Sequence, residues 1–282
     1  MIRITCYEPI TRFDLARTLL GKGRYWTTAY LVDGLLVDSG CAHSANELRQ
    51  ALEDSPLSCI ANTHTHEDHI GANGVLQRLR GGLEVRAHPL ALPVLADPRG
   101  AQPLHPYRKL FWGWPTPSQA TPIGDGETIE TDHFIFQALY TPGHSPDHLC
   151  LYEAEQGWLF SGDLFVGGHD RALRAGQDIW QTIASLKRMA ELPIQRLFPG
   201  SARVREQPAQ ELREKIAYYE ERGEQVLALH RQGLEVDEIA RRAFGGPMWV
   251  ELVTLGHFSR RRLVEAYLGE DADKTGNVCN CG

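Results

Sequence analysis

No stretch of this 282-residue chain approaches the roughly 20 consecutive apolar residues that a membrane-spanning helix needs. The opening MIRITCYEPITRFD has none of the basic-then-apolar order of a secretion signal. These two absences make the cytoplasm the expected location and leave no membrane partner to expect. Cysteine is sparse: Cys6, Cys41, Cys59, Cys150, Cys279 and Cys281 are scattered without the spacing of a disulfide scaffold. There is no internal repeat. Positive charge is not in excess either, because 29 Lys and Arg face 36 Asp and Glu, for a formal net charge of -7. That balance excludes a surface that gathers nucleic acid everywhere, while a local basic patch stays open. What remains is an ordinary globular composition, 42% hydrophobic and 23% charged, long enough for one large domain or a core with an appendage.

Turn and cap signals divide the chain. Trp26–Val32 and Leu35–Asp38 flank Asp33–Gly34, a strong hairpin signal. Ser44 and Glu47 have the spacing of a capping box before a helix in NELRQALED. Ser58–Asn62 predicts a short strand, GANGVLQRLRGG a helix ended by glycines, EVRAHP a strand and LALPVLAD a short helix. Gly100–Pro122, rich in proline and aromatics, predicts a surface loop or lid. Strands are expected at Thr128–Leu139, Leu149–Glu153 and Gly157–Phe160, then a helix over DIWQTIASLKRMAEL and a short strand at RLFPG. After Pro199 the composition changes. PAQELREKIAYYEERGEQVLALHRQG reads as one amphipathic helix between Pro208 and Gly233, followed by helices in EVDEIARRAF and HFSRRRLVEAYL. The expected plan is an α/β core over residues 1–200, a helical appendage over 201–268 and a disordered polar tail over 269–282.

One stretch, NTHTHEDHIGAN, crowds three histidines and two acids into a single turn. His64 and His66 alternate, so at a strand end both imidazoles face one side and can converge on one ion. Asp68 and His69 follow on the turn and can face a second ion. Two later segments share the design of a strand running into a polar turn: YTPGHSPDH, with His144, and WLFSGDLF, with Asp163. His64, His66 and His144 suit zinc with an open fourth position, and Asp68, His69 and Asp163 suit a second cation. A lone histidine would more simply cap a turn; five in-phase residues with two remote partners point to metal.

In this order and spacing, HTHEDH, TPGHS and SGDLF resemble the metallo-β-lactamase superfamily over about the first two hundred residues. The resemblance implies a four-layer αββα sandwich with a small C-terminal helical extension, similar to the helical or winged-helix appendage of thioester- and RNA-cleaving relatives. LLVDSG resembles the superfamily's early strand and turn, which makes Asp38 an orienting group rather than a ligand. One departure stands out. Where the family places a histidine after the last core strand, in a PGH turn, this chain has FPGS with Ser201. A hydroxyl is a poor zinc ligand beside imidazole, so the second ion should bind weakly, take an extra water or recruit another side chain. His148 and His169 are the nearby imidazoles in sequence. His148, His169, Arg171, Arg174 and Ser201 are candidate substrate-facing residues, the two arginines as a clamp for an anion.

Other signals are weaker. His88 before Pro89 reads as a turn histidine. Tyr107–Trp114 could form a lid over the metal, an ordinary packed segment or a homodimer contact. Arg260–Arg262 invite a nucleic-acid reading, but the appendage carries acids and bases in near-equal number. Cys279 and Cys281 in CNCG could bind a soft metal.

These residues point to metal-dependent hydrolysis, with a zinc-bound hydroxide and Asp68 as the catalytic carboxylate orienting it or taking its proton. One or two zinc ions are expected, iron or manganese remaining open. The expected substrate is a small-molecule ester, thioester or lactone. Two alternatives remain: a phosphodiesterase or ribonuclease of the same fold, and a non-catalytic metal-binding sensor with a degraded second site.

Overall fold

A computed structural model of the chain describes residues 1–269. Cys279, Cys281 and all but the first residue of the expected tail lie outside the described residues. The first seven strands are β1 (Ile2–Tyr7), β2 (Ile10–Leu19), β3 (Lys22–Val32), β4 (Leu35–Val37), β5 (Cys59–Ala61), β6 (Glu84–Ala87) and β7 (Thr121–Pro122). They form one sheet in chain order. The first four are an antiparallel meander, and β4 to β7 run parallel. One tight turn of the meander is the Asp33–Gly34 hairpin, where both residues take positive φ, 48° and 82°.

The second sheet holds β8 (Thr128–Glu130), β9 (Ile135–Tyr140), β10 (Leu149–Glu153) and β11 (Trp158–Gly162). After β12 (Leu173–Arg174), which lies elsewhere, it is completed by β13 (Arg196–Pro199) and β14 (Arg205–Glu206), in the order β14-β13-β11-β10-β9-β8. β12 pairs instead with β15 (Phe258–Ser259).

Alternation along the strands decides the layers. Tyr30, Val32, Leu35 and Val37 from the first sheet meet Phe136, Leu151, Phe160 and Phe198 from the second in one core between the sheets. The opposite face of the first sheet, with Phe13, Leu36, Ile60 and Val85, is covered by Leu48 of α1 (Ala45–Ala51) and Leu76 of α2 (Asn73–Leu79). Next along the chain come three short helices, α3 (Leu92–Ala96), α4 (Pro98–Ala101) and α5 (Pro106–Phe111), and then α6 (Ile179–Ala190). The side chain of Asp178 caps α6 by accepting from the Gln181 N–H, 3.0 Å. Ile179, Ile183 and Leu186 of α6 pack on Leu139, Cys150, Leu159 and Leu197 of the second sheet. The result is the αββα sandwich.

The helices after residue 200 are α7 (Ala209–Arg231), α8 (Val236–Phe244), α9 (Trp249–Val253) and α10 (Arg260–Leu268). Tyr219, Val226, Ile239 and Leu263 from three of them join the same apolar cluster as α6 and the second sheet. The change of composition near residue 200 is therefore no gap in packing. No helix among the described residues is long and apolar enough to cross a membrane.

Several local expectations are corrected. Ser44 precedes α1, but its hydroxyl donates to the Cys41 carbonyl, 3.1 Å, instead of capping the helix. Glu47 receives the N-terminal ammonium, 3.0 Å, so no capping box forms. Thr128–Leu139 is a hairpin of two strands rather than one, because Thr131–Phe134 turns back on itself. Gly100–Pro122 is more than a loop. It contains α5 and the edge strand β7. The last predicted helix starts only at Arg260, since Phe258 and Ser259 are drawn into pairing with β12.

Candidate metal centre

β5 ends at Ala61, and the chain then runs along one rim of the sandwich as Asn62–His69. This segment is fastened from three directions. Asn62 and Asn73 exchange side-chain hydrogen bonds, the shorter at 2.6 Å, and Ser39 donates to Asn73. The Thr65 N–H and hydroxyl both donate to Asp147, at 2.9 and 2.7 Å. The Thr63 N–H and hydroxyl both donate to Asp38, at 2.8 Å each. Asp147 and Asp38 are thus the posts that hold the histidine run.

His64 Nε2 lies 2.9 Å from His66 Nδ1, and His144 Nε2 lies 3.0 Å from the same atom. Tetrahedral zinc bonds of 2.0–2.1 Å put neighbouring donor nitrogens about 3.3 Å apart, close to this spacing. Hydrogen bonding does not account for the triangle, because one imidazole nitrogen is either a donor or an acceptor and satisfies one of its two neighbours. His64 and His66 are buried, and their pKa values are pulled well below normal, by burial first and then by neighbouring cations and imidazoles. His144 is drawn down to about 4 by burial, with Asp163 opposing. Burial thus favours the neutral form of all three, the form able to donate to a metal ion.

His64, His69 and Asp163 form a second group of donor atoms, all within 4.8 Å of one another. His69 Nδ1 is paired with Asp38 at 2.7 Å, which aims Nε2 at Asp163 Oδ2, 3.6 Å away. His144 Nε2 is also 3.6 Å from Asp163 Oδ2, so this carboxylate stands between the two groups. Its Oδ1 is buried with no hydrogen-bond partner. Burial alone would lower His69, but Asp163, Asp38 and Asp68 carry it well above the ordinary histidine value. Asp68 Oδ2 is 3.9 Å from His69 Nε2 at the edge of this group. Burial holds Asp68 above the usual carboxylate range, with Glu67 and Asp163 adding and His69 opposing. Three carboxylates around one imidazole, Asp38 buried and Asp68 and Asp163 partly so, with an orphaned carboxylate oxygen, fit a cation.

The Asp163 turn needs its glycine. Gly162 takes φ +47°, and an added Cβ would lie 2.7 Å from both His148 Nε2 and Thr63 Oγ1. The FPGS turn arrives from the other side. A Cβ on Gly200 would sit 2.6 Å from Asp163 Oδ1, and Ser201 lines a cavity of about 220 Å³ together with His144 and Asp163. Among the described residues no further histidine joins the second group.

The remaining candidates scatter. His148 is buried, with Nδ1 2.8 Å from the Thr141 hydroxyl and Nε2 accepting the Asp163 N–H at 3.2 Å. Both nitrogens are used, so it props the Asp163 turn and does not face substrate. His169 is exposed and stacks on Tyr218, ring centroids 4.2 Å apart. Arg171 donates to the Phe244 carbonyl and ties the loop to α8, so the expected arginine pair does not form. Arg174 stays half-buried near the site. Burial, with Arg108 adding and Glu67 opposing, draws it down to about 10. His88 accepts from the Leu90 N–H and stacks on Tyr140, a turn histidine as expected.

The sequence marks segment 107–114 as a candidate lid but announces none of three contacts at the site. Gln177 places its amide nitrogen 2.8 Å from His144 Nδ1. Arg108, on α5, forms a buried ion pair with Glu67 inside the histidine run. Tyr107, its neighbour, meets His257 of the C-terminal helical unit, hydroxyl to Nδ1 2.8 Å. Only the HTHEDH run carries a local signal; these partners lie 33 to 150 residues away.

Comparison with known proteins agrees with this geometry. The sequence profile described as the metallo-beta-lactamase superfamily matches residues 27–201. A curated relative, the "Atrochrysone carboxyl ACP thioesterase" of Aspergillus fumigatus, is 28% identical over 197 residues, 68% of this chain and 55% of that protein. The chain thus spans about half the length of that relative. The metallo-beta-lactamase family protein TTHA1429 of Thermus thermophilus superposes with a TM-score of 0.69 at 21% identity, covering 92% of this chain and 93% of that one. TTHA1623, solved in a di-iron-bound form, is 32% identical over 67% of this chain and 94% of that one, with a TM-score of 0.54. With the profile matching well over half its length, the chain belongs to the metallo-beta-lactamase superfamily.

Proposed function

We propose that this protein is a metal-dependent hydrolase of a small-molecule ester, thioester or lactone. The observation that carries the reading is the convergence of His64 and His144 Nε2 on His66 Nδ1 at 2.9 and 3.0 Å, buried beside an unpartnered Asp163 oxygen. His64, His66 and His144 would hold one divalent ion, zinc in the simplest case. His69, Asp163 and Asp68 would hold a second. Bound ions would supply Lewis acidity and acidify a water near neutral pH.

The chain's own groups do the rest. Asp38 fixes the ring of His69, and the Thr63 hydroxyl supports that of His64. Asp68, held above the usual carboxylate range, is the group suited to take a proton from the attacking water and return it to the leaving atom. Helix α5 keeps bulk water from the histidine run by laying Arg108 on Glu67. The thioesterase relative supports a thioester among the substrate classes.

The ribonuclease alternative gains nothing from the appendage. Arg260 pairs with Glu251, Arg261 with Asp237 and Glu265, and Arg262 faces Glu265, so the basic run is already neutralised. The test is a panel of aryl esters, N-acetylcysteamine thioesters, lactones and a phosphodiester, assayed with chelated and zinc-, iron- or manganese-loaded protein. Metal-dependent turnover of an acyl substrate, lost in His66→Ala, is expected. Turnover of the phosphodiester alone, or of nothing by a protein that holds metal, would reject the reading; the latter favours a sensor.

A further inference from the structure

Beside the two groups of candidate ligands lies a guanidinium with no ion-pair partner among the described residues. Arg174 ends β12, the strand that pairs with β15 of the C-terminal helical unit. Its backbone N–H donates to Gln177 Oε1 at 3.0 Å, and the amide nitrogen of that same Gln177 stands against His144. The arginine is therefore placed one side chain away from the first ligand group. It lines a cavity of about 470 Å³ with Gly143 and Ser145, the two chain neighbours of His144.

Every other guanidinium nearby is taken. Arg108 is paired with Glu67, and Arg262, on the same cavity, faces Glu265 at 3.7 Å. Among the described residues the Arg174 side chain makes no ion pair and no hydrogen bond, and its Nε is buried without a partner. A half-buried guanidinium whose Nε has no partner gains from an opposite charge placed against it. Asp178 and Glu265 line the same cavity, but Asp178 caps α6 and Glu265 faces Arg261 and Arg262, so neither forms an ion pair with Arg174, and the cavity is open for a ligand to do so. A guanidinium fork matches a planar or tetrahedral oxyanion with two parallel hydrogen bonds.

We propose that Arg174 receives an oxyanion carried by the substrate, so that the hydrolase acts on acidic acyl compounds rather than neutral ones. This inference rests on the hydrolase reading above. The oxyanion has two possible sources, a carboxylate on the acyl side or a phosphate on the leaving side, and matched thioesters separate them. Succinyl-N-acetylcysteamine differs from butyryl-N-acetylcysteamine by a terminal carboxylate in place of a methyl. Butyryl-4′-phosphopantetheine differs from butyryl-pantetheine by a phosphate.

In at least one pair the metal-loaded wild type should prefer the anionic member by about 10- to 100-fold in kcat/KM, the range of a charge-assisted contact. Arg174→Gln should bring that ratio close to one, and Arg174→Lys should restore part of it. Equal rates within both pairs, or a preference that survives in Arg174→Gln, would overturn the proposal. Calorimetric titration with succinate and with inorganic phosphate separates the two levels of inference. Binding of either anion by the wild type, weakened at least tenfold in Arg174→Gln, would uphold the receptor even if no thioester were hydrolysed. If the thioesters turn over but neither anion binds more weakly to the variant and the ratios are unchanged, the hydrolase stands and the receptor falls.

Discussion

Arg108→Ala should unfold this protein well before any surface arginine would. The Arg108 side chain is 6% exposed and that of its partner Glu67 1%, and Glu67 Oε1 already has no hydrogen-bond partner. Removing the guanidinium leaves the buried Glu67 carboxylate without its ion-pair partner. Breaking a buried pair in this way costs about 3–5 kcal/mol. For a domain of this size 1 kcal/mol moves Tm by roughly 2–4 °C, so the expected drop is about 6–20 °C. The assay is thermal unfolding of exhaustively chelated protein followed by circular dichroism, so that metal affinity does not enter. The double variant Arg108→Met with Glu67→Leu removes both charges and should recover most of the loss, since replacing a buried pair by apolar groups is often neutral or better. A drop below about 2 °C, or a double variant no better than the single, would refute the claim that this pair locks α5 onto the histidine run.

Three further outcomes are expected. Asp38→Asn keeps the size of the residue that accepts from Thr63 and His69 but loses the charge that orients His69, and should weaken metal binding about 10- to 100-fold in a competition with a chromophoric chelator; unchanged affinity would remove Asp38 from the ligand support. Glu251 is held below the usual carboxylate range by hydrogen bonds from the Arg260 side chain, with burial opposing and the Arg260 and Met248 N–H groups adding. A lowered folded-state pKa gives stability that is full above the unfolded value near 4.3 and fades as pH falls through the folded value, so the Tm gap between wild type and Glu251→Gln should be constant from pH 6 to 8 and shrink below about pH 4; a gap unchanged at pH 3 would contradict the pairing. Ser201→His should raise the number of tightly held ions towards two, because the turn at Gly200 already lies against Asp163 and His69; unchanged stoichiometry would mean that the second group is complete without it.

The sandwich and its histidine-rich rim were legible because their signals are short-range. Alternation of His64 and His66, glycines ahead of His144 and Asp163, and Asp–Gly between two apolar runs each depend on a few neighbouring residues. The opening strands were not read: Ile2, Ile4 and Cys6 alternate with Arg3 and Thr5, but β1 is largely exposed and the alternation marks no buried face. The pairing of β12 with β15 brings together two-residue strands 84 positions apart, which no local pattern announces. The contacts of Gln177, Arg108 and Tyr107 escaped for the same reason: segment 107–114 stood out as a candidate lid, but only folding sets Arg108 against Glu67, Tyr107 against His257 and Gln177 against His144. The shared core of α6 and α7 likewise turns on which face of a helix meets the second sheet, and composition near residue 200 does not record that.

The central claim is that imidazoles 64, 66 and 144 close on a common cation. Its most direct test is elemental analysis of the protein loaded with zinc, iron or manganese and then dialysed free of excess ion. At least one tightly held ion per chain is predicted for the wild type, and less than about a tenth of that for a His64→Ala/His66→Ala variant that still folds. A wild type that retains no ion of any of the three would contradict the account at its root.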